Sequence, residues 1–302
     1  MRAAVIDLGT NTFHLIIADL SDRVNVVYKT NSPVKLGEGK INENIIIPEA
    51  FERGLQTLIS FAGEIKNQQV DIVRATATSA VRSAANGANF VKAAKLRAGI
   101  DIEVISGEEE AGYIFKGVQA TGVIVEPSLI MDIGGGSTEF ILCNPEQVLW
   151  KKSYNIGAAR LMQAYFKSDP ISEADQRTIL DHLENTLREL KEACAAHQPL
   201  TLIGSAGAFE TFATLLLKDV EVKKMASCTL PIEAYKKLAA ELIASTHEER
   251  AGMKGLIPLR VDMIVLAAIL TNYVIDETGL EKLSLSTYDL KMGVLQSLLP
   301  VK

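Results

Sequence analysis

The chain has 302 residues, and 31 Lys and Arg against 37 Asp and Glu give it a formal net charge of −6. This length exceeds what one hydrophobic core usually supports and predicts two domains, while 48% hydrophobic and 23% charged residues are typical of an ordinary globular protein. The negative charge argues against a nucleic-acid partner, because such binding depends on a surplus of Lys and Arg, so a polyanionic substrate must be bound by local groups.

Two segments about one domain length apart share one design. Residues 5–12 and 130–137 each consist of an apolar strand, an Asp and a turn of Gly and hydroxyl residues, and a second apolar run follows each turn. This pattern predicts a β-hairpin in each segment. We therefore expect two similar domains that each open with such a hairpin.

Strands and helices alternate between and after these hairpins. Helix 48–67 is predicted from apolar residues at helical spacing, and helix 89–98 is expected to stop at Gly99. The other elements predicted in the first half are strands at 24–28, 70–75 and 102–105 and a helix at 108–120.

The second half continues the alternation. Ser172 is expected to cap one long helix with Ile179, Leu183, Leu187, Leu190 and Cys194 on a single apolar stripe. The other elements predicted here are strands at 201–203 and 282–286 and helices at 231–243, 261–274 and 290–299. We predict an α/β protein with domains at 1–124 and 125–288, in which a closing helix at about 289–302 packs back on the first domain.

The cysteines and the apolar runs indicate the compartment. Cys143, Cys194 and Cys228 lie far apart and outside any Cys-x-x-Cys spacing, which predicts neither a disulfide framework nor a zinc site. Asp7 interrupts the first apolar run before it reaches signal-peptide length, and no later run approaches the ~20 residues of a membrane span. We expect a cytoplasmic protein without a membrane partner, and a homodimer is kept as an open expectation.

A glycine-rich turn joins the strands of the second hairpin. Residues without bulky side chains allow several backbone N–H groups to converge on an anion, and carboxylates suit Mg²⁺. We predict that Asp132 and Glu139 hold Mg²⁺ directly or through its waters. The phosphate ligands predicted in this turn are Gly134, Gly135, Gly136, Ser137 and Thr138. A structural turn with a buried, capping Asp is the alternative.

Two further glycine turns are candidates for phosphate binding. The first hairpin is expected to grip phosphate from the other side, with Asp7 as an additional candidate metal ligand, although its turn residues are common in ordinary turns. Its predicted ligands are Gly9, Thr10, Asn11 and Thr12. Gly204 and Ser205, at a strand-to-helix turn, are candidates for anion binding at a helix N-terminus, and a tight start of the helix is equally consistent.

Three consecutive glutamates follow the strand at 102–105. Ser106 and Glu109 have the spacing of a capping box, and an acidic residue suits the first helical turn, which accounts for Glu108. Glu110 remains as the candidate general base. Arg82 can offer a planar fork to phosphate oxygens, or it is a solvent-facing residue of a short helix.

These segments, in this order, resemble the exopolyphosphatase and guanosine pentaphosphate phosphohydrolase family, a branch of the sugar kinase, Hsp70 and actin superfamily. The resemblance runs from Ala4 to about Leu299 and rests on residues 7–14, 75–82, 104–111 and 132–139. It implies two actin-like (ribonuclease H-like) domains, each with a mixed sheet and flanking helices, and an active-site cleft between them. The chain is similar to the short, two-domain form of the family.

The resemblance also implies a reaction, the Mg²⁺-dependent hydrolysis of the terminal phosphate of inorganic polyphosphate. In this interpretation Glu110 activates water, Arg82 binds substrate phosphate, and Asp132 with Glu139 organises Mg²⁺ and the attacking water. Hydrolysis of the 5′ γ-phosphate of guanosine pentaphosphate is the alternative within enzymes. A noncatalytic polyphosphate or nucleotide sensor is the alternative of another class.

Two single residues and one segment depart from the family pattern. Gly112 stands where members usually carry Arg, and Ala208 stands where they carry Thr. Residues 288–293 replace the usual Gly-Leu-Arg-Glu-Gly segment. The residues therefore predict the fold more firmly than the substrate.

Overall fold

The computed structural model describes residues 1–218 and 220–300 and divides the chain into two compact units. Unit 1 contains residues 1–120 and the chain from Leu290 onward, and unit 2 contains Thr121–Asp289. The divisions lie close to the domain boundaries predicted at 124 and 288. In the part of the chain that is described, no helix combines the length and apolar character that a membrane crossing requires.

Unit 1 is built on a five-stranded mixed sheet. Its strands are β1 (Arg2–Leu8), β2 (Phe13–Leu20), β3 (Val24–Ser32), β4 (Ile72–Ala77) and β5 (Ile102–Val104). Its helices are α1 (Pro48–Asn67), α2 (Ser79–Ser83), α3 (Gly87–Ala98), α4 (Gly107–Gln119) and, at the end of the chain, α12 (Leu290–Ser297). The strand order is β3-β2-β1-β4-β5, in which β1 pairs antiparallel with β2 and parallel with β4.

The centre of this sheet is buried because apolar residues cover both of its faces. Phe13 of β2 and Phe51 of α1 both pack edge-on against Phe90 of α3, with ring centroids 6.3 Å and 5.1 Å from that ring. Burying one such side chain contributes about 1.5–3 kcal/mol to folding. The turns at the ends of β1 and β4 are therefore fixed on a well-packed base.

The closing helix α12 packs against α4 and β1 within unit 1. The contact with α4 is very close, because a β-carbon added to Gly293 would overlap the carbonyl of Tyr113. The close approach fixes the position of α4, which carries Glu110 near its start.

Replacing Gly293 by Ala is therefore expected to lower the free energy of unfolding by about 1–3 kcal/mol, as overpacking does in well-packed cores. Gly63→Ala is the matched control, since Gly63 is an exposed glycine of α1 and an added β-carbon meets nothing within 4 Å. Helix propensity gives this control an expected gain of about 0.5–1 kcal/mol. Urea unfolding measures both changes, and an unchanged Gly293→Ala protein would contradict the close α12–α4 contact.

Unit 2 is built on a six-stranded mixed sheet. Its strands are β6 (Ser128–Ile133), β7 (Thr138–Cys143), β8 (Val148–Tyr154), β9 (Thr201–Ser205), β10 (Ser227–Leu230) and β11 (Lys282–Ser286). Its helices are α5 (Ala158–Tyr165), α6 (Glu173–Thr186), α7 (Arg188–His197), α8 (Ala206–Leu216), α9 (Ile232–Ala244), α10 (His247–Ala251) and α11 (Met263–Thr278). The strand order is β10-β11-β9-β6-β7-β8.

The two units repeat one arrangement at their predicted hairpins. Strands β1 and β2 form the first hairpin and β6 and β7 the second, so both predictions are confirmed. In each unit the first hairpin strand also pairs in parallel with a later strand, β4 for β1 and β9 for β6. The predicted α/β class with two mixed sheets and flanking helices is confirmed.

The single long helix predicted after Ser172 is wrong. Ser172 does cap a helix, accepting a hydrogen bond from the Asp175 N–H at 3.1 Å. The chain leaves helical geometry at Leu187, where φ is −99° and ψ is 21°, and α6 and α7 are separate helices. Because Leu187 stays buried, the apolar stripe continues across the break and hides it in the sequence.

The predicted helix at 261–274 is displaced in the structure, where α11 begins at Met263 and ends at Thr278. This helix is apolar on nearly all sides, so its periodicity does not mark its ends. Gly279 ends it in the left-handed conformation with φ of 69°, a common C-terminal signal. The helix expected after the turn at Gly204 and Ser205 is α8, and no sequence pattern predicted β8, α5, β10 or α10.

Candidate active site

The turn of the first hairpin is supported from behind by the segment at 35–37. The Thr10 carbonyl accepts a hydrogen bond from the Gly37 N–H at 3.1 Å, and the Asn11 carbonyl accepts one from the Lys35 N–H at 2.8 Å. In a trans peptide the N–H points opposite to the carbonyl of the same peptide plane. The N–H groups of Asn11 and Thr12 therefore face away from the supporting segment, as an anion-binding turn requires.

Asp7 lies at the base of this turn and has a lysine beside it. Its Oδ2 atom is 3.7 Å from Lys291 Nζ, and the two side chains are only 14% and 16% exposed. The lysine, on α12, belongs to the segment that departs from the family pattern. A cation in this position competes with a metal ion, so Asp7 as a metal ligand stays a prediction.

Arg82 and Glu110, two of the predicted site residues, are in direct contact. Arg82 Nη1 donates to Glu110 Oε2 at 2.9 Å and to the Ile105 carbonyl at 3.0 Å. Glu110 is 8% exposed. The arginine fixes the position of a buried carboxylate, and a carboxylate so held can accept a proton from water.

The neighbouring Glu109 has a different role. Its N–H donates to Ser106 Oγ at 3.2 Å, and its Oε2 accepts from the Ser106 N–H at 2.8 Å. The predicted capping box is thus confirmed. Capping occupies the carboxylate of Glu109 at the helix end, whereas that of Glu110 is buried against Arg82.

Asp132 and Glu139 form a pair of carboxylates at the base of the glycine-rich turn in unit 2. They are direct partners across β6 and β7, and they are 7% and 1% exposed. Asp132 Oδ2 accepts from Ser205 Oγ at 3.1 Å, and Glu139 Oε1 accepts from Ser153 Oγ at 2.7 Å. Like charges directly opposite each other repel, and a cation between them would relieve the repulsion.

This donor set fits Mg²⁺. The ion commonly binds through one or two carboxylates and completes its octahedron with waters and substrate phosphates. Across the described residues there is no group of three or more His, Cys, Asp and Glu side chains arranged to hold a metal.

The carbonyls of the glycine-rich turn all face helix α5. Those of Gly134 and Gly135 accept hydrogen bonds from the Ala158 and Ala159 N–H groups, each at 2.9 Å. The Gly136 carbonyl accepts from Arg160 Nε at 2.9 Å. By the same peptide geometry, the N–H groups that follow these carbonyls face the opposite side. These are the N–H groups of Gly135, Gly136 and Ser137, and together they form a nest of donors that suits an anion.

Three residues predicted to bind phosphate have other partners. Gly204 lies in the ladder between β6 and β11, and a β-carbon there would overlap the Phe209 ring. Ser205 is fully buried and donates to Asp132. Thr138 is also fully buried and donates to the Ile156 carbonyl at 3.1 Å. Phosphate contact by these residues stays a prediction, and the structure gives each a packing or positioning role.

Three buried or partly buried cations near these turns, Arg160, Lys291 and Arg260, belong to no sequence motif that predicted the site. Arg260 donates to Thr211 Oγ1 at 2.7 Å, and its guanidinium lies so close to Gly207 that a β-carbon there would overlap it. Burial lowers the pKa of Arg260, yet an arginine keeps its charge at neutral pH. The positive charge of Arg260 therefore lies at the start of α8. Arg260 itself is 49 residues later in the chain than its partner Thr211.

The chain is similar to known proteins over nearly its whole length. The sequence profile of the Ppx/GppA phosphatase family matches residues 16–302. A solved structure of an exopolyphosphatase from Cytophaga hutchinsonii is 39% identical in sequence to this chain and has a TM-score of 0.95. The match covers 99% of this chain and 97% of that one.

Two curated relatives carry different names. One, from Pseudoalteromonas translucida, is named guanosine-5′-triphosphate,3′-diphosphate pyrophosphatase and is 29% identical over 98% of this chain. The other, from Haemophilus influenzae, is named putative exopolyphosphatase and is 27% identical over 98% of this chain and 90% of its own length. The chain spans only 59% of the length of the Pseudoalteromonas protein.

Proposed function

Because the chain belongs to the Ppx/GppA phosphatase family, we propose that it is a Mg²⁺-dependent exopolyphosphatase, which hydrolyses the terminal phosphate of inorganic polyphosphate and releases orthophosphate. The observation that carries the proposal is the buried Asp132–Glu139 pair below a turn whose successive N–H groups face one side. Such a turn suits the oxygens of a phosphate, and the carboxylates suit the cation that accompanies a polyanion. The names of the Cytophaga and Haemophilus relatives also support this substrate.

The proposal assigns Glu110 and Arg82 to the attack of water on the terminal phosphate. Glu110 takes a proton from a water molecule, and the water oxygen forms a bond to the terminal phosphorus. The bond from that phosphorus to the bridging oxygen breaks, and the shortened chain leaves with the bridging oxygen. Arg82 holds Glu110 in position and has further N–H groups for phosphate oxygens.

Mg²⁺ would be held by Asp132 and Glu139. When bound, it supplies charge neutralisation for the phosphate oxygens. The N–H groups of the glycine-rich turn would bind these oxygens without a change of protonation. Preorganised donors of this kind lower the cost of the charge that develops in the transition state.

Guanosine pentaphosphate is the second candidate substrate. The observation in its favour is the name of the Pseudoalteromonas relative, and its 5′ terminal phosphate is joined by the same kind of anhydride bond. The residues assigned above act on the terminal phosphoryl group, which the two substrates share. The chemistry proposed for the site is therefore the same in both cases.

Orthophosphate release distinguishes the two substrates. Purified protein is offered polyphosphates of several lengths and guanosine pentaphosphate, each with Mg²⁺ and with EDTA. We expect Mg²⁺-dependent release, with a higher kcat/KM for polyphosphate. A higher value for guanosine pentaphosphate would replace the first candidate by the second, and no release from either would contradict both.

Location and assembly are further proposals. The separated cysteines support a cytoplasmic location, and Cys143 and Cys194 are free and buried in the structure. Burial raises the pKa of each of these thiols to about 12, which keeps them protonated. A homodimer stays a prediction that light scattering of the purified protein tests.

A further inference from the structure

Arg160 is a buried arginine that lies outside all the segments predicted to bind phosphate. It is 8% exposed and sits in the first turn of α5. Its Nε atom donates to the Gly136 carbonyl at 2.9 Å, a contact buried from solvent. A guanidinium group is rarely buried unless it is paired with a specific partner.

The hydrogen bond fixes one particular peptide plane of the glycine-rich turn. The carbonyls of Gly134 and Gly135 accept hydrogen bonds from the backbone N–H groups of Ala158 and Ala159. These two hydrogen bonds do not depend on which side chains residues 158 and 159 carry. The Gly136 carbonyl is held by a side chain. The Gly136–Ser137 peptide, unlike the two before it, therefore depends on the identity of residue 160.

The orientation of this peptide decides where the Ser137 N–H points. With the Gly136 carbonyl directed at Arg160, the Ser137 N–H joins those of Gly135 and Gly136 on the opposite side. Glycine at 136 removes the steric barrier to rotation of the peptide, since it has access to conformations that other residues avoid. Without a fixed carbonyl, this N–H would be the first of the three to leave the nest.

We propose that Arg160 is a positioning residue for phosphate binding, which acts by holding the Gly136 carbonyl so that the Ser137 N–H faces the bound phosphate. The inference rests on the proposed function, because it takes a terminal phosphate to be the ligand of this turn. Arginine suits this task better than lysine, since Nε lies within a rigid planar group whereas an ammonium ends a flexible chain.

Orthophosphate binding to Arg160→Lys tests the proposal. We expect the dissociation constant to rise about tenfold, the ~1.4 kcal/mol that one hydrogen bond is worth. In amide NMR spectra, orthophosphate should shift the Gly135, Gly136 and Ser137 signals of the wild-type protein. In the variant, the Ser137 response should fall most and the Gly135 response least.

Arg250→Lys is the matched control. Arg250 is fully buried in the same unit, and its Nε also donates to a carbonyl, that of Val261, at 2.7 Å. Its other partners, Ser245, Asp169 and Asp262, lie outside the glycine-rich turn. We expect this control to lose stability and to keep its orthophosphate affinity within about twofold, as distant sites act independently.

The outcomes separate this inference from the proposed function. If wild-type protein shows no orthophosphate response in the turn, the function proposed for it fails. If wild type responds and Arg160→Lys responds equally, or if both arginine variants lose the same affinity, positioning by Arg160 is wrong. Arg160→Gln, which keeps an amide donor, replaces the lysine variant if that does not fold. Failure of both to fold would assign Arg160 to the fold alone and overturn the proposal.

Discussion

Glu110→Gln is expected to lower the turnover number by about 10²–10⁴, the contribution of a positioned general base. Glutamine has nearly the same shape and keeps an oxygen that can accept the hydrogen bond from Arg82 Nη1, so the local structure should persist. It cannot take a proton from water. Orthophosphate affinity and the free energy of unfolding should therefore change little while turnover collapses.

Glu109→Gln is the matched control for this change. Glu109 is the next residue in the same helix, and it belongs to the capping box with Ser106. A glutamine at this third helical position still completes a capping box. We expect its turnover to stay within about threefold of wild type, the range of a small change in stabilisation. Near-normal turnover of Glu110→Gln, or a larger loss from Glu109→Gln, would contradict the assignment of the base.

Glu139→Gln is expected to remove most of the activation by Mg²⁺ and to lower turnover by roughly 10²–10³, as loss of one preorganised electrostatic group does. The amide oxygen can still accept from Ser153 Oγ, so the environment of the side chain should be retained. The site then has one negative charge, instead of two, with which to bind the cation. Measuring the rate of phosphate release at increasing MgCl₂ concentrations gives both the maximal rate and the MgCl₂ concentration at half-maximal rate, and we expect both to change.

Glu189→Gln controls for a general effect of removing a carboxylate from unit 2. Glu189 pairs with Lys152 on the surface, where its side chain is 62% exposed. Such exposed pairs contribute about 0–1 kcal/mol to stability. We expect wild-type Mg²⁺ activation from this control. An unchanged MgCl₂ titration of Glu139→Gln would remove Glu139 from the proposed metal site.

Local patterns were enough to predict the two hairpins and the capping box of Glu109. Two apolar runs and a Gly turn between them depend on contacts within a few residues, and the capping box spans only Ser106 to Glu109. The carboxylate pair of Asp132 and Glu139 follows from the same hairpin, because residues at equal distances from the turn become cross-strand partners. These parts of the site are encoded in short stretches of sequence.

Residues that act through distant partners could not be predicted in this way. Arg160 contacts Gly136, which is 24 residues earlier in the chain, and nothing near Arg160 in the sequence resembles a phosphate motif. Gly204 shows the opposite difficulty, since it has the appearance of an anion-binding turn and yet makes room for the Phe209 ring. A glycine's purpose depends on what approaches it, which only the packed structure reveals.

The most direct measurement of the proposed reaction is the oxygen isotope content of orthophosphate released from polyphosphate in H₂¹⁸O. Attack by water on the terminal phosphorus places one solvent oxygen in each released orthophosphate and none in the shortened chain, because the bridging oxygen leaves with that chain. We expect this labelling from the wild-type protein with Mg²⁺, and a rate of labelled release at least ~10²-fold lower from Glu110→Gln. Release without solvent oxygen, or release that requires a phosphate acceptor such as ADP, would contradict hydrolysis.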